Sequence, residues 1–139
     1  FSKLLEMGSP KFAVWLIGMN NPDTSSGIDE SYLENTQKFI ALCEENDITP
    51  IISTIPSTWG TTSADSDVKE PRNNRHKNAW VKEQSGCRYI DWADAVENPD
   101  GSGWYDGMLG PDGVHPDVTG AMALADRIIR DFPEIAMER

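Results

Sequence analysis

The chain has 139 residues, 38% of them hydrophobic, the size and composition of one domain with a packed core. Its 23 acidic and 12 basic side chains give a formal charge of −11. That field repels phosphate backbones and anionic surfaces, so neither nucleic acid nor a membrane is an expected partner.

The first residue is Phe1, with no initiating methionine and no charged-then-apolar leader, and the expectation is that further sequence precedes it. Phe12-Ala13-Val14-Trp15-Leu16-Ile17 is apolar without alternation and closed by Gly18, as expected of a strand covered on both faces inside a parallel sheet. It is also the longest apolar stretch, far short of the roughly 18 residues a membrane helix needs. From Ser31 the pattern turns helical: Ser31-x-x-Glu34 reads as a capping box, and Leu33, Thr36, Ile40 and Cys43 recur on one face until about Asn46.

Residues 48–55, rich in β-branched side chains, read as a second buried strand, which Pro56 ends at a long polar loop running to Glu70. Pro71 suits the first position of a helix carrying His76, Ala79, Trp80 and Glu83 and meeting Gly86 at its end. Residues 87–91 form a third strand pattern. A glycine-rich loop then leads to Asp117, which suits the cap of a last helix presenting Met122, Ala125, Ile129 and Phe132. Cys43 and Cys87 have neither Cys-x-x-Cys spacing nor a neighbouring His, so they read as buried thiols, with a disulfide left open and no metal site expected.

Strands alternating with helices predict an α/β fold with a parallel sheet and helices on both faces. In such sheets ligands bind beyond the carboxyl ends of the strands, here residues 18–21, residues 53–57 and the loop after Asp91. Asp112-Gly113-Val114-His115-Pro116 lies in the loop before the last helix. A carboxylate three residues before a histidine can bond one ring nitrogen and leave the other to take a proton from a hydroxyl nucleophile. The plain alternative is an Asp that caps a turn and a His that packs under the helix.

Gly18-Met19-Asn20-Asn21 ends the first strand. A side-chain amide there could donate to the oxyanion of a tetrahedral intermediate, a contact worth roughly 3 kcal/mol of barrier where it has been measured. Gly18 would let the backbone pass close to substrate. The alternative is an Asn-Asn-Pro turn that merely leaves the strand.

Taken together, the strand ending, the roughly ninety-residue gap and the Asp-x-x-His-Pro loop before a terminal helix resemble the SGNH or GDSL hydrolase family. The resemblance runs from about Phe12 to Phe132. It implies a flavodoxin-like three-layer α/β/α fold, with residues 1–139 as the C-terminal part of a single hydrolase domain. It implies Asn20 as oxyanion donor, Asp112 and His115 as acid and base, a small-molecule ester substrate such as a carbohydrate O-acetyl ester, and no cofactor. It leans toward a secreted or cell-envelope location.

The sequence departs from the family pattern at two points. Asn21 stands where the family has Asp. The Gly-Asp-Ser block with the nucleophile, and the block whose glycine donates a backbone N–H, have no counterpart. Ser102 is flanked by glycines but lies in a turn, Ser53 reads as strand packing and Ser57 as a loop polar group. The nucleophile is therefore expected before Phe1, on a partner: an N-terminal fragment or a second chain that completes the sheet. Trp59, Trp104 and Tyr105 lie in the long loops, where aromatic faces could line a substrate pocket or fill a satellite core. Two function classes remain, an ester hydrolase or acyl-transfer enzyme and a non-catalytic binding module that kept the Asp-His loop.

Overall fold

A computed structural model describes residue 8 and residues 10–58, 74–100 and 103–137. Three parallel strands form one sheet in the order β1 (Phe12–Trp15), β2 (Thr49–Ser53) and β3 (Arg88–Ile90). Val14 lies opposite Ile51, and Ile52 opposite Tyr89. Among the described residues five helices accompany it: α1 (Glu30–Glu44), α2 (Arg75–Glu83), α3 (Trp92–Val96), α4 (Val118–Asp131) and α5 (Pro133–Met137).

The strand period of two sends neighbouring isoleucines of β2 to opposite faces. Ile52 packs with Trp80 and Val81 of α2 and with Leu33 and Ile40 of α1. Ile51 packs with Ile90, Phe132 and Ile128 on the α4 side. Both isoleucines are 0% exposed. Helices thus cover both faces, giving the three-layer α/β/α arrangement expected from the alternating pattern.

The α1 cap differs from the capping box at Ser31. Asp29 is the N-cap, its Oδ1 accepting Tyr32 N at 2.8 Å. A carboxylate two residues earlier is the stronger acceptor for the free N–H groups of the first turn. Glu34 pairs instead with Lys38 one turn on. The inward face is broader than the expected stripe: Thr36 and Cys43 are buried and Leu33 and Ile40 pack against the core as expected, and Tyr32 and Phe39 are buried as well. Trp15 engages the added part: its ring stacks on Phe39 with centroids 4.7 Å apart, and its Nε1 donates to Thr36 Oγ1 at 3.1 Å.

Two further expectations give way. β1 was read as covered on both faces, yet Val14, Leu16 and Ile17 are 43%, 46% and 53% exposed. Among the described residues β1 pairs only with β2, and no described strand lies along its other edge. Of the residues expected along one side of α4, Phe132 is buried as read, but Met122, Ala125 and Ile129 face outward. Met122 and Ile129 are 62% and 54% exposed, and the inward contacts come from Ile128, Phe132 and Leu124, whose carbonyl accepts Trp92 Nε1. α4 is therefore apolar on two sides and covered on one.

At the carboxyl ends of β2 and β3, Asp91 ties the layers together. Thr54 Oγ1 donates to it at 2.9 Å and accepts Ala93 N at the start of α3, while Lys82 of α2 pairs with it at 2.6 Å. Asp131 accepts Asp91 N and is held in turn by Arg127. The short helix α3 lies where the sequence suggested only a loop; Asp91 caps it locally. Cys43 is buried, Cys87 half-buried, and both are free thiols.

Candidate active site

The loop before α4 is organised by its own backbone. Leu109 and Pro116 form an antiparallel bridge, Gly110 N donates to His115 O at 2.7 Å, and Asp117 N donates to Met108 O at 2.9 Å. Asp117 then caps α4 through Gly120 N, as the sequence suggested. Gly113, at φ 70°, makes the left-handed turn that brings residue 112 back toward residue 115.

Within this loop the two oxygens of Asp112 divide their work. Oδ1 accepts the backbone N–H groups of Val114 and His115, each at 2.9 Å, and Oδ2 meets His115 Nδ1 at 2.6 Å. The ring hydrogen bond, followed by the two backbone donors, holds the Asp112 carboxyl well below the usual carboxylate range. An ionised carboxylate can only accept, so Nδ1 carries the hydrogen and, in the neutral ring, the lone pair is on Nε2. That tautomer is the one a general base needs. The His115 side chain is 76% exposed, leaving Nε2 accessible. Asp112 both caps the turn and orients the ring, whereas His115 is exposed and does not pack under the helix as the plain alternative had it.

Asn20 stands, largely exposed, in the turn that leaves β1. Gly18, just before it, is buried at φ 130°, where a Cβ would come within 2.6 Å of the Tyr32 ring and closer still to Ile55. Packing, rather than room for substrate, accounts for the glycine. Asn21 N donates to Gly18 O at 3.1 Å and closes the turn.

The loop after β2 is bound to its neighbours on two sides. Asn78 of α2 takes Ile55 N and returns a donor to Ile55 O, at 2.8 and 2.9 Å. Trp104 is buried, and its Nε1 donates to Ser57 O at 2.7 Å, while Ser57 N donates to Glu97. Trp104 therefore acts as a brace between the loops after β2 and β3. Tyr105 is 38% exposed and offers an aromatic surface. Trp59 and Ser102 lie outside the described residues. Ser53 is buried with its hydroxyl turned to Trp15 O at 3.5 Å, the packing role expected of it.

Sequence reasoning missed Lys77 on α2 and Asp23 just past the Asn20 turn, which fasten turn and helix to each other. A lysine in a helix ordinarily reads as solvated, and only its place on the buried side of Trp80 and Val81 could have marked it. Among the described residues no three His, Cys, Asp or Glu side chains converge as metal ligands, and no helix is long and apolar enough to cross a membrane.

No family model matches the chain, and no curated protein matches it. Solved structures do share its fold. A GDSL-like lipase from Bacteroides thetaiotaomicron superposes with a TM-score of 0.65 at 16% identity, over 91% of this chain and 64% of the lipase. A Bacteroides fragilis protein provisionally named an acylhydrolase gives 0.63 at 16%, over 91% of this chain and 63% of its own. A protein from Desulfitobacterium hafniense, provisionally named lipolytic and of the G-D-S-L family, gives 0.60 at 18%, over 92% and 67%. The chain has the α/β fold of these proteins and spans less than two thirds of the length of the first two.

Proposed function

We propose that the chain carries the acid, the base and one oxyanion donor of a serine ester hydrolase whose nucleophile comes from a segment outside these 139 residues. The Asp112–His115 pair carries this reading: an ionised carboxylate 2.6 Å from Nδ1 fixes the tautomer whose Nε2 accepts a proton. In the reaction His115 takes the proton of the attacking serine hydroxyl as the acyl-oxygen bond forms. Asp112 stabilises the imidazolium, and the proton then passes to the leaving alcohol. Water repeats the sequence to release the acid. Asn20 is the donor assigned to the oxyanion.

The names of the structural neighbours, a lipase and proteins provisionally called acylhydrolase and lipolytic, support ester substrates. The outer edge of β1, along which no described strand lies, and the uncovered side of α4 support a completing segment. Val14 on the strand, Leu16 and Ile17 just beyond it, and Val118, Met122 and Ile129 on the helix are all more than 40% exposed, and an unpaired apolar edge calls for a partner strand. Tyr105 is the aromatic surface left to contact substrate; Trp104 would act through the loops it braces.

Labelling with a fluorophosphonate probe tests the proposal, using protein that includes the sequence upstream of Phe1. Labelling of an upstream serine, abolished by His115→Ala, is the expected result. Absence of labelling in folded protein would favour a binding module over an enzyme.

A further inference from the structure

Lys77 is the third residue of α2, and its side chain is 0% exposed. Two physical penalties fall on it there. Removing an ammonium from water costs several kcal/mol even after relaxation, and the first turn of a helix is its positive end, which disfavours a cation. A leucine or methionine would fill the same space with neither penalty. The ammonium is accommodated by what surrounds it: Nζ donates to Gly18 O at 3.0 Å and to Asn21 O, lies 4.0 Å from Asp23 Oδ1, and sits 5.1 Å from the centre of the Tyr32 ring.

The acceptors are informative. Gly18 and Asn21 bracket Asn20, so one cation holds the backbone on both sides of the assigned oxyanion donor. Asp23, only 1% exposed and two residues beyond Asn21, completes the clamp from the other direction. The N-cap of α2, Asn74, makes no side-chain capping bond. Asp23 Oδ2 takes that role across the fold, accepting His76 N at 2.7 Å and Lys77 N at 3.3 Å. The turn after β1 is thus fastened to the start of α2 by a carboxylate in one direction and an ammonium in the other.

We propose that Lys77 is the positioning residue for Asn20: its buried ammonium clamps the carbonyls of Gly18 and Asn21 and fixes the turn from which the amide meets the oxyanion. The catalytic consequence rests on the hydrolase reading above; the clamp itself does not. A lysine that merely stabilised the core would have no selective effect on this turn.

The test is backbone amide exchange by NMR on the full chain, comparing wild type with Lys77→Met. Exchange of the Asn21 amide, which bonds to Gly18 O, should rise about tenfold or more while the β2 amides stay within about twofold. The Asn20 side-chain amide resonances should shift as well. Equal acceleration in turn and strands, or no change at Asn21, would overturn the proposal. Should Lys77→Met not fold, Asp23→Asn decides: it keeps the ammonium and removes its counter-charge, and selective acceleration at Asn21 supports the clamp while its absence overturns it. In protein that includes the upstream serine, Lys77→Met should lower kcat with KM little changed, and cause no further loss in an Asn20→Ala background. Additive losses would overturn the positioning role. A selective exchange change in protein that hydrolyses no ester would count against the hydrolase reading alone.

Discussion

Asn21 and Asp29 meet side chain to side chain: Asn21 Nδ2 donates to Asp29 Oδ1 at 3.2 Å, and the same oxygen caps α1 by accepting Tyr32 N. This gives a physical reason for asparagine where the resembled family has aspartate. An amide can donate to the capping carboxylate. A second carboxylate could only repel it and draw it away from the helix.

Asn21→Asp is therefore expected to cost about 1–3 kcal/mol at neutral pH, and more than Asn21→Ala, which only deletes the donor. Urea unfolding of both variants checks this. Equal losses would remove the like-charge argument.

The Asp112 carboxyl is held below the ordinary carboxylate range by His115 and two backbone donors. A folded-state value below the unfolded one means that the ionised pairing is fully present above the unfolded value, about 3.9, and is lost only as pH falls through the lower folded value. In a carbon-detected NMR titration the Asp112 carboxyl should still read as ionised at pH 3, where a free aspartate is mostly protonated. A midpoint near that of a free aspartate would contradict the geometry. Under the proposed hydrolase reading, Asp112→Asn in protein that includes the upstream serine should lower kcat by about 10³- to 10⁴-fold through the wrong tautomer.

Gly18→Ala should destabilise by about 2 kcal/mol or more, combining a strained positive φ with a collision against Tyr32 and Ile55. Thermal unfolding reads the loss, and a variant within experimental error of wild type would show that the ring moves aside without cost. Gly113→Ala is the useful contrast. It has a similar φ problem at 70°, but in the exposed His115 loop, so its effect should appear in the Asp112–His115 pairing rather than in the core.

The uncovered side of α4 gives a prediction that separates folding from assembly. Met122→Glu replaces a side chain that is 62% exposed, so stability of this chain should change by no more than about 0.5 kcal/mol. Association with an upstream fragment, measured by calorimetry, should weaken about tenfold or more if that fragment covers the helix. Unchanged affinity would place the contact elsewhere.

The Asp112–His115 pair was legible in the sequence because a separation of three residues is a local matter, settled by a glycine and a turn. The order of the three strands and the three longer helices was legible for the same reason, since apolar runs and caps are short-range signals, while the five-residue helices α3 and α5 were too short to give one. The face of α4 was misjudged because its apolar residues follow two stripes, and periodicity reports apolarity without saying which stripe meets the sheet. The Asp29 cap is local, accepting Tyr32 N three residues on, and was missed because Ser31-x-x-Glu34 offered a competing capping signal; the Lys77 clamp was invisible because its partners lie far away in the chain, Lys77 and Gly18 being 59 positions apart. Trp104 was read as a pocket wall or satellite core, and its bond to Ser57 O settles it as a brace.

The outer edge of β1 bears on how the chain behaves in solution. A row of backbone donors and acceptors flanked by Val14, Leu16 and Ile17 can zip onto the same row of a second molecule, and that pairing competes with any proper partner. Under the proposed reading, the segment that carries the serine competes with this self-pairing for the same edge, and a higher concentration of the chain tips the balance toward self-association.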